Sequence, residues 1–175
     1  IVRKKIIFLI NFFILIFIAV VFYKGLTLDA KYSTKDLVGQ TLVNFSATTL
    51  NNSSNKLSNI DIKSKKYSII NVWASWCGPC RLEHPIILRL SKHEELNIFG
   101  INYKDKKKNA IYFLSKFGNP YKKIGLDPTG FLSIDLGFFG VPETILINRD
   151  EEILLKYVGP LNENDYNTIV SRIKG

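Results

Sequence analysis

The chain contains few cysteines and histidines, and this shortage limits the kinds of site that it can build. It has two of each among 175 residues, and Cys77 and Cys80 are separated by only two residues. A disulfide across so short a loop removes little entropy from the unfolded chain, which argues against a structural staple. A zinc site would need His84 and His93 as well, and His84 would share a helix with the cysteines in poor tetrahedral geometry. Covalent haem attachment needs a histidine directly after the second cysteine, and this chain has Arg81 there.

Acidic residues are also scarce, with 15 against 24 lysines and arginines and a net charge of +9. Arg3, Lys4 and Lys5 account for three of these charges, no acid precedes Asp29, and the rest of the chain carries +6. No nucleic-acid-binding motif accompanies the basic residues, so we predict no nucleic-acid partner. A solvated charged face is the ordinary explanation, and an acidic patch on a partner or an anionic lipid is the alternative. The lysines cluster at Lys63, Lys65 and Lys66 and at Lys104, Lys106, Lys107 and Lys108.

A long apolar run covers residues 6–23 and is interrupted only by Asn11. About 18 apolar residues are just enough to cross a bilayer as a helix. A cleaved signal peptide is the alternative, but the run exceeds the usual apolar region of about 7 to 15 residues and no small-x-small cleavage site follows it. We therefore predict a basic cytoplasmic tip at 1–5, a transmembrane signal anchor at 6–23, a linker at 24–36 and a folded domain at 37–175. The positive flank should stay in the cytoplasm, which leaves the domain on the other side of the membrane. The predicted location is therefore the bacterial inner membrane, with a single pass and the domain in the periplasm.

The sequence Trp76-Cys77-Gly78-Pro79-Cys80 follows an apolar run over residues 67–74 that predicts a buried strand. Two intervening residues place both cysteines at the first turn of a helix, a turn that Pro79 suits. Backbone N–H groups and the helix dipole favour a thiolate at Cys77, and a thiolate is the species that attacks disulfides. Cys80, one turn further along and expected to be more buried, can then displace the product. We predict a redox-active disulfide with Cys77 as nucleophile and Cys80 as the resolving cysteine.

Hydrophobic periodicity predicts three helices after the apolar run. The helix that Cys77 opens has Leu82, Ile86 and Leu90 at every fourth position, with a kink expected at Pro85. Gly118 is placed to end the second helix. The apolar residues of the second and last helices are Ala110, Phe113, Leu114 and Phe117, and Tyr166, Ile169, Val170 and Ile173.

Strands are predicted between and after these helices. Residues 96–103 form one strand, and residues 144–147 and 153–158 flank a turn over 148–152, a pattern typical of a hairpin. Residues 51–59, rich in asparagine and serine, are predicted to form a surface loop. The order strand, helix, strand, helix, strand, strand, helix predicts an α/β fold with a central mixed sheet flanked by helices.

These elements and five sequence blocks resemble the membrane-anchored thiol:disulfide interchange proteins of cytochrome c maturation, the CcmG/DsbE family of thioredoxin-like proteins. The blocks lie in family order at residues 71–77, 81–85, 100–105, 117–121 and 140–144. The Cys-Gly-Pro-Cys sequence alone is typical of the whole thioredoxin superfamily, whereas the later blocks are specific to the maturation family. The middle pair Gly78-Pro79 is a departure, since it resembles that of thioredoxin, whose potential of about −270 mV is reducing.

The resemblance implies a reductase for the disulfide in the haem-binding Cys-x-x-Cys-His segment of apocytochrome c, acting directly or through an assembly protein. A membrane electron donor would re-reduce the cysteines, because an oxidising compartment drives an idle pair to the disulfide. No cofactor other than the Cys77–Cys80 disulfide is implied. Two other functions stay open: a general extracytoplasmic disulfide reductase, and a binding module for apocytochrome that does not depend on turnover.

The resemblance also assigns a substrate-binding region. In thioredoxin-like proteins the residue before a cis-proline offers its backbone to an extended substrate, so Val141-Pro142 is expected to be cis and to lie opposite the cysteines. Phe138 and Phe139 would line a groove for the peptide, with core packing as the alternative for both. Trp76 is expected to shield Cys77 from water and to contribute to the docking face.

Proton transfer needs an acid, and Asn71 stands where thioredoxin has a buried aspartate six residues before its first cysteine. Glu83, one turn after Cys80, and Glu143, directly after Pro142, are the candidates, since a partly desolvated carboxylate can have a raised pKa. Glu143 is the preferred one, with a surface helix charge as the alternative for Glu83. His84 is interpreted as a polar helix residue rather than a base.

Overall fold

The computed structural model describes residues 2–27, 37–52 and 54–175. The chain divides into two compact units, residues 1–33 and 34–175. In the first unit, helix α1 (Val2–Thr27) contains a 20-residue stretch, Lys5–Lys24, of mean hydropathy 3.0. This stretch is long and apolar enough to cross a bilayer, a test that a signal sequence also passes. Most of the predicted linker, residues 28–36, lies outside the described residues.

The second unit contains a sheet, a separate hairpin and five helices among its described residues. The strands are β1 (Ser46–Thr48), β2 (Lys56–Ser58), β3 (Tyr67–Trp73), β4 (Leu96–Tyr103), β5 (Lys123–Asp127), β6 (Glu143–Asn148) and β7 (Ile153–Val158), and the helices are α2 (Asn59–Ile62), α3 (Gly78–Leu90), α4 (Lys107–Phe117), α5 (Phe131–Asp135) and α6 (Glu163–Lys174).

The central sheet has the strand order β5-β4-β3-β6-β7. Strands β3, β4 and β5 are parallel to one another, and β6 and β7 run antiparallel to their neighbours, so the predicted mixed sheet is confirmed. Every residue of β3 from Ser68 onward is buried, as expected for a strand with covered faces on both sides. The carboxyl end of this central strand leads directly into the cysteine sequence.

Two apolar cores pack against opposite faces of the sheet. Along β3, Ile69 and Trp73 belong to one core and Ile70 and Val72 to the other, which is the alternation of a pleated strand. The first core also receives the apolar faces of α3, α4 and α6 and includes both cysteines. The disulfide is therefore packed among the apolar side chains of this first core.

Most of the predicted elements are confirmed, and a few predictions are wrong. Residues 56–58 of the predicted loop form β2, because they pair antiparallel with β1. Leu82 is 76% exposed, whereas Ile86 and Leu90 are buried. The buried face of α3 instead combines spacings of three and four residues, and it includes Glu83. The short elements β1, α2, β5 and α5 were not predicted.

Gly100 of β4 lies where a side chain has no room. A Cβ there would lie 2.7 Å from the indole nitrogen of Trp73 and 3.1 Å from the ring of Tyr121. Because both rings are buried, we expect Gly100→Ala to lower the free energy of unfolding by about 2 kcal/mol. Urea denaturation of the full chain in neutral detergent measures this. Gly78→Ala is the matched control, since nothing lies within 4 Å of its Cβ, and an equal loss in both variants would contradict the explanation.

Candidate active site

Cys77 and Cys80 form a disulfide at the start of α3, with their Cα atoms 5.3 Å apart. Cys77 is the N-cap residue, and its sulfur accepts a hydrogen bond from the backbone N–H of Cys80 at 3.1 Å. This N–H and the positive end of the helix dipole would stabilise a thiolate at Cys77 in the reduced state. The two cysteines are 4% and 2% exposed. Position at the helix terminus, more than the small difference in burial, therefore distinguishes the two sulfurs.

Asp105 holds the loop that carries the cysteines. Its two carboxylate oxygens accept hydrogen bonds from the backbone N–H and the hydroxyl of Ser75, at 2.6 and 2.8 Å. The side-chain amide of Asn102 also donates to Asp105, at 3.0 Å. The loop after β3 is thus joined to the loop after β4. Asp105 lies in the sequence block at residues 100–105 and had no predicted role.

Trp76 lies on the surface beside the disulfide. Its side chain is 57% exposed, and its indole N–H donates to the backbone carbonyl of Lys104 at 3.1 Å. This hydrogen bond anchors one edge of the ring and leaves much of the rest accessible to a partner. The role of Trp76 in docking stays a prediction.

The peptide bond between Val141 and Pro142 is cis, as predicted. Val141 packs against the core that contains both cysteines, and the carbonyl of Pro142 accepts a hydrogen bond from the N–H of Gly159 at 2.9 Å. Strand β6 begins at the next residue, and it pairs with β3. The cis-proline is thus fixed to the strand that leads into the cysteine loop.

The two phenylalanines before this bond have different environments. Phe139 is 58% exposed, whereas Phe138 is 1% exposed and belongs to the second core. The assignment of Phe138 to a peptide groove is wrong, because its ring fills the interior. Phe139 stays a candidate for substrate contact.

Glu83 lies on the buried face of α3, so the alternative of a surface helix charge is wrong. Its carboxylate accepts hydrogen bonds from the side-chain amide of Asn71 at 2.8 Å and from the backbone N–H of Leu161 at 2.9 Å. Burial outweighs these two donors and raises the pKa of Glu83 from 4.5 to about 7. A carboxyl group with this pKa can take up and release a proton near neutral pH.

Asn71 connects Glu83 to a buried polar network. Its amide group also donates to the Thr144 hydroxyl at 3.0 Å, and its carbonyl oxygen accepts from the Tyr121 hydroxyl at 2.7 Å. Burial, together with the charge of Glu83, raises the pKa of Tyr121 well above its usual range. Asn71 is thus a hydrogen-bonding residue at the centre of this network, and the carboxyl group that it contacts comes from α3. Tyr121 had no assigned role in the sequence interpretation.

Glu143, the acid preferred from sequence, has a different environment. One carboxylate oxygen accepts the backbone N–H groups of Phe139 and Gly140, both at 2.7 Å. The other lies 3.2 Å from the ammonium of Lys156, which also donates to the carbonyl of Gly137. Both members of this ion pair are buried. Glu143 therefore holds the loop before the cis-proline in place, and its engagement with Lys156 favours Glu83 over it as the acid, against the preference drawn from the sequence.

The two histidines have partners away from the cysteines. His84 is buried, its Nε2 lies 3.0 Å from the carbonyl oxygen of Gly118, and its ring packs edge-on against Phe113. Burial lowers the pKa of His84 from 6.5. His93 lies beyond the end of α3, 3.3 Å from the Tyr166 hydroxyl. His84 thus lies on the predicted helix but is buried and packs against Phe113, and the prediction that it is not a base stays a prediction.

Comparison with known proteins gives the class to which this geometry belongs. The model of the Redoxin family matches residues 37–170. A thiol:disulfide interchange protein of the thioredoxin family from Chlorobium tepidum TLS has a similar structure, with 24% identity and a TM-score of 0.64 over 77% of this chain and 96% of that chain. A DsbF homologue from Corynebacterium diphtheriae matches with 22% identity and a TM-score of 0.66 over 75% and 85%. The chain is a member of the Redoxin family with a thioredoxin-like fold.

Relatives with curated names show which kind of thioredoxin-like protein this chain resembles. DsbE from Pseudomonas aeruginosa is 36% identical over 160 residues, which cover 91% of this chain and 88% of that protein. CycY from Rhizobium leguminosarum bv. viciae is 53% identical over 95 residues, 54% of this chain and 51% of that protein. HelX from Rhodobacter capsulatus is 41% identical over 104 residues, 59% of this chain and 58% of that protein. The chain thus spans only about half the length of some of these relatives. It belongs to the DsbE-type thiol:disulfide interchange proteins.

Proposed function

We propose that this protein reduces the disulfide in the haem-binding Cys-x-x-Cys-His segment of apocytochrome c, or of an assembly partner that serves it. The observation that carries the proposal is the sulfur of Cys77 at a helix N-terminus, in a core shared with the residue before a cis-proline. Family membership and the sequence blocks typical of cytochrome c maturation support the choice of substrate. The apolar stretch of α1 supports a membrane anchor, with the redox domain in the periplasm.

The exchange occurs in two displacements. The Cys77 thiolate attacks one substrate sulfur, forming a mixed disulfide and releasing the other substrate sulfur as a thiolate. Cys80 then loses its proton and attacks the Cys77 sulfur, which restores the Cys77–Cys80 disulfide and releases the second substrate thiolate. Two electrons pass to the substrate, and a membrane donor returns two electrons to the protein.

Glu83 is suited to move the protons in this sequence. Its position one turn after Cys80 on α3 brings it near the resolving sulfur. With a pKa of about 7 it is partly ionised at neutral pH. We assign it to accept the Cys80 proton and to supply a proton to the thiolate product.

Cys80→Ala tests the substrate assignment. This variant can form the mixed disulfide but cannot resolve it, so the partner should stay attached to Cys77 in cells. We expect the trapped species to be a cytochrome with a Cys-x-x-Cys-His segment or an assembly protein, identified by mass spectrometry after non-reducing purification. Cys77→Ala with Cys80→Ala is the matched control that traps nothing. A range of unrelated proteins would instead support the general reductase, and a double variant that still matured cytochromes would support the binding module.

A further inference from the structure

A groove between α3 and α4 opens beside the disulfide and has no part in the exchange described above. It encloses about 260 Å³. Phe113 and Phe117, the least exposed of the aromatic residues that line it, form its floor, and Trp76, Tyr112, Arg81 and Lys116 are also among the lining residues. The groove begins at Trp76, the residue next to Cys77. A polypeptide in it would lie within reach of the reacting sulfur.

The charged side chains that line the groove are all basic. The guanidinium carbon of Arg81 and the ammonium of Lys116 lie 5.3 and 5.5 Å from the ring centroid of Phe117. No carboxylate is among the residues that line the groove. The acid just before α4, Asp105, is already engaged by Ser75 and Asn102. The two cations over an aromatic floor are thus without a counter-charge in the groove.

Helix α4 adds further positive charge next to the groove, and the position of this charge destabilises the helix. It contains no Asp or Glu, and its first turn holds Lys107 and Lys108, where the helix dipole favours acids. Lys108, Tyr112 and Lys116 recur at every fourth residue, and all three are exposed. This spacing aligns them along one side of α4. The helix therefore presents a basic row, aligned with Lys116 of the groove, that its own folding does not require.

We propose that this groove binds an acidic segment of the protein with which Cys77 exchanges its disulfide. An apolar side chain of the segment would lie on Phe117, beneath which Phe113 is buried, and its acids would pair with Arg81, Lys116 and Lys108. A concave aromatic floor suits a polypeptide segment better than the flat surface of an anionic membrane. The inference rests on the proposed disulfide-exchange function and adds the charge of the partner to it.

Two synthetic peptides test the inference. Each contains Cys-Ala-Ala-Cys-His closed by a disulfide, flanked on both sides either by Glu-Phe-Glu-Glu or by Gln-Phe-Gln-Gln. The full chain, reduced in neutral detergent, should reduce the acidic peptide about tenfold faster than the neutral one at about 0.1 M ionic strength. The preference should fall close to unity near 1 M salt, where charges more than about 3 Å apart are screened.

The variant Lys108→Glu with Lys116→Glu should lose this preference and keep the wild-type rate on the neutral peptide within about twofold. Lys108→Glu also places an acid in the first turn of α4, which favours folding. The matched control is Lys65→Glu with Lys66→Glu, which changes the net charge equally at the opposite end of β3, about 20 Å from the cysteines. The control should keep the preference.

The results separate failure of the inference from failure of the proposed function. Equal rates on the two peptides, or a preference lost equally in both double variants, would overturn the docking site and leave disulfide reduction intact. No reduction of either peptide would contradict the proposed function itself. If the peptides react equally and tryptophan fluorescence of the reconstituted chain differs between neutral vesicles and vesicles with about 30% anionic lipid, the groove contacts a membrane and the proposal is wrong.

Discussion

Replacement of Cys77 by serine is expected to lower the second-order rate constant for disulfide reduction by roughly 10³-fold or more. A hydroxyl does not ionise near neutral pH, so the backbone N–H and helix dipole that would stabilise a thiolate at this position have no nucleophile to act on. The rate of thiol release from a disulfide peptide measures this in the reduced full chain. The matched variant, Cys80→Ser, should keep the first displacement and accumulate the mixed disulfide.

The two serine variants also test which sulfur attacks first. Cys77 and Cys80 are both nearly inaccessible in the oxidised protein, so exposure alone does not assign their roles. If Cys80→Ser abolished formation of the mixed disulfide and Cys77→Ser kept it, the roles assigned here would be reversed. Equal unfolding midpoints for the two variants would show that the difference is chemical.

The parts of the site that sequence predicted depend on neighbours along the chain. The strand before Cys77, the helix that it opens and the end of α4 at Gly118 follow from apolar spacing, a helix N-terminus and a glycine with positive φ. The cis bond before Pro142 followed from the family resemblance. The strand, the helix and its neighbour's end are each encoded within about ten residues, which is the range over which periodicity and turn chemistry act.

The parts that sequence did not predict depend on contacts between distant segments. Glu83 receives a hydrogen bond from Leu161, 78 residues away, and Tyr121 bonds to Asn71 across 50 residues. The local pattern of α3 placed Leu82 in the core and did not decide between a buried and a surface position for Glu83, because spacing by four residues does not fix the orientation of a helix. Burial of Glu83 is a tertiary property, and so is its raised pKa.

Glu83→Gln is expected to remove a pH-dependent part of the stability. Because burial raises the pKa of Glu83 from 4.5 to about 7, the folded protein holds this proton more tightly than the unfolded chain does. The contribution to stability is fully present below pH 4.5 and is lost as the pH rises through about 7. The shift corresponds to about 3 kcal/mol. Relative to the glutamine variant, the wild type should therefore lose about 3 kcal/mol of unfolding free energy between pH 4.5 and pH 8.

Urea denaturation of the oxidised full chain across this pH range measures the difference. Glu94→Gln, at an exposed position just after α3, is the matched control and should shift stability by no more than about 0.5 kcal/mol at any pH. Parallel curves for wild type and Glu83→Gln would show that Glu83 does not titrate in this window.

The same variant separates stability from proton transfer, because a glutamine cannot accept the Cys80 proton. If Glu83 has that role, release of product from the mixed disulfide should slow in Glu83→Gln at pH 7, while formation of the mixed disulfide by Cys77 stays close to the wild-type rate.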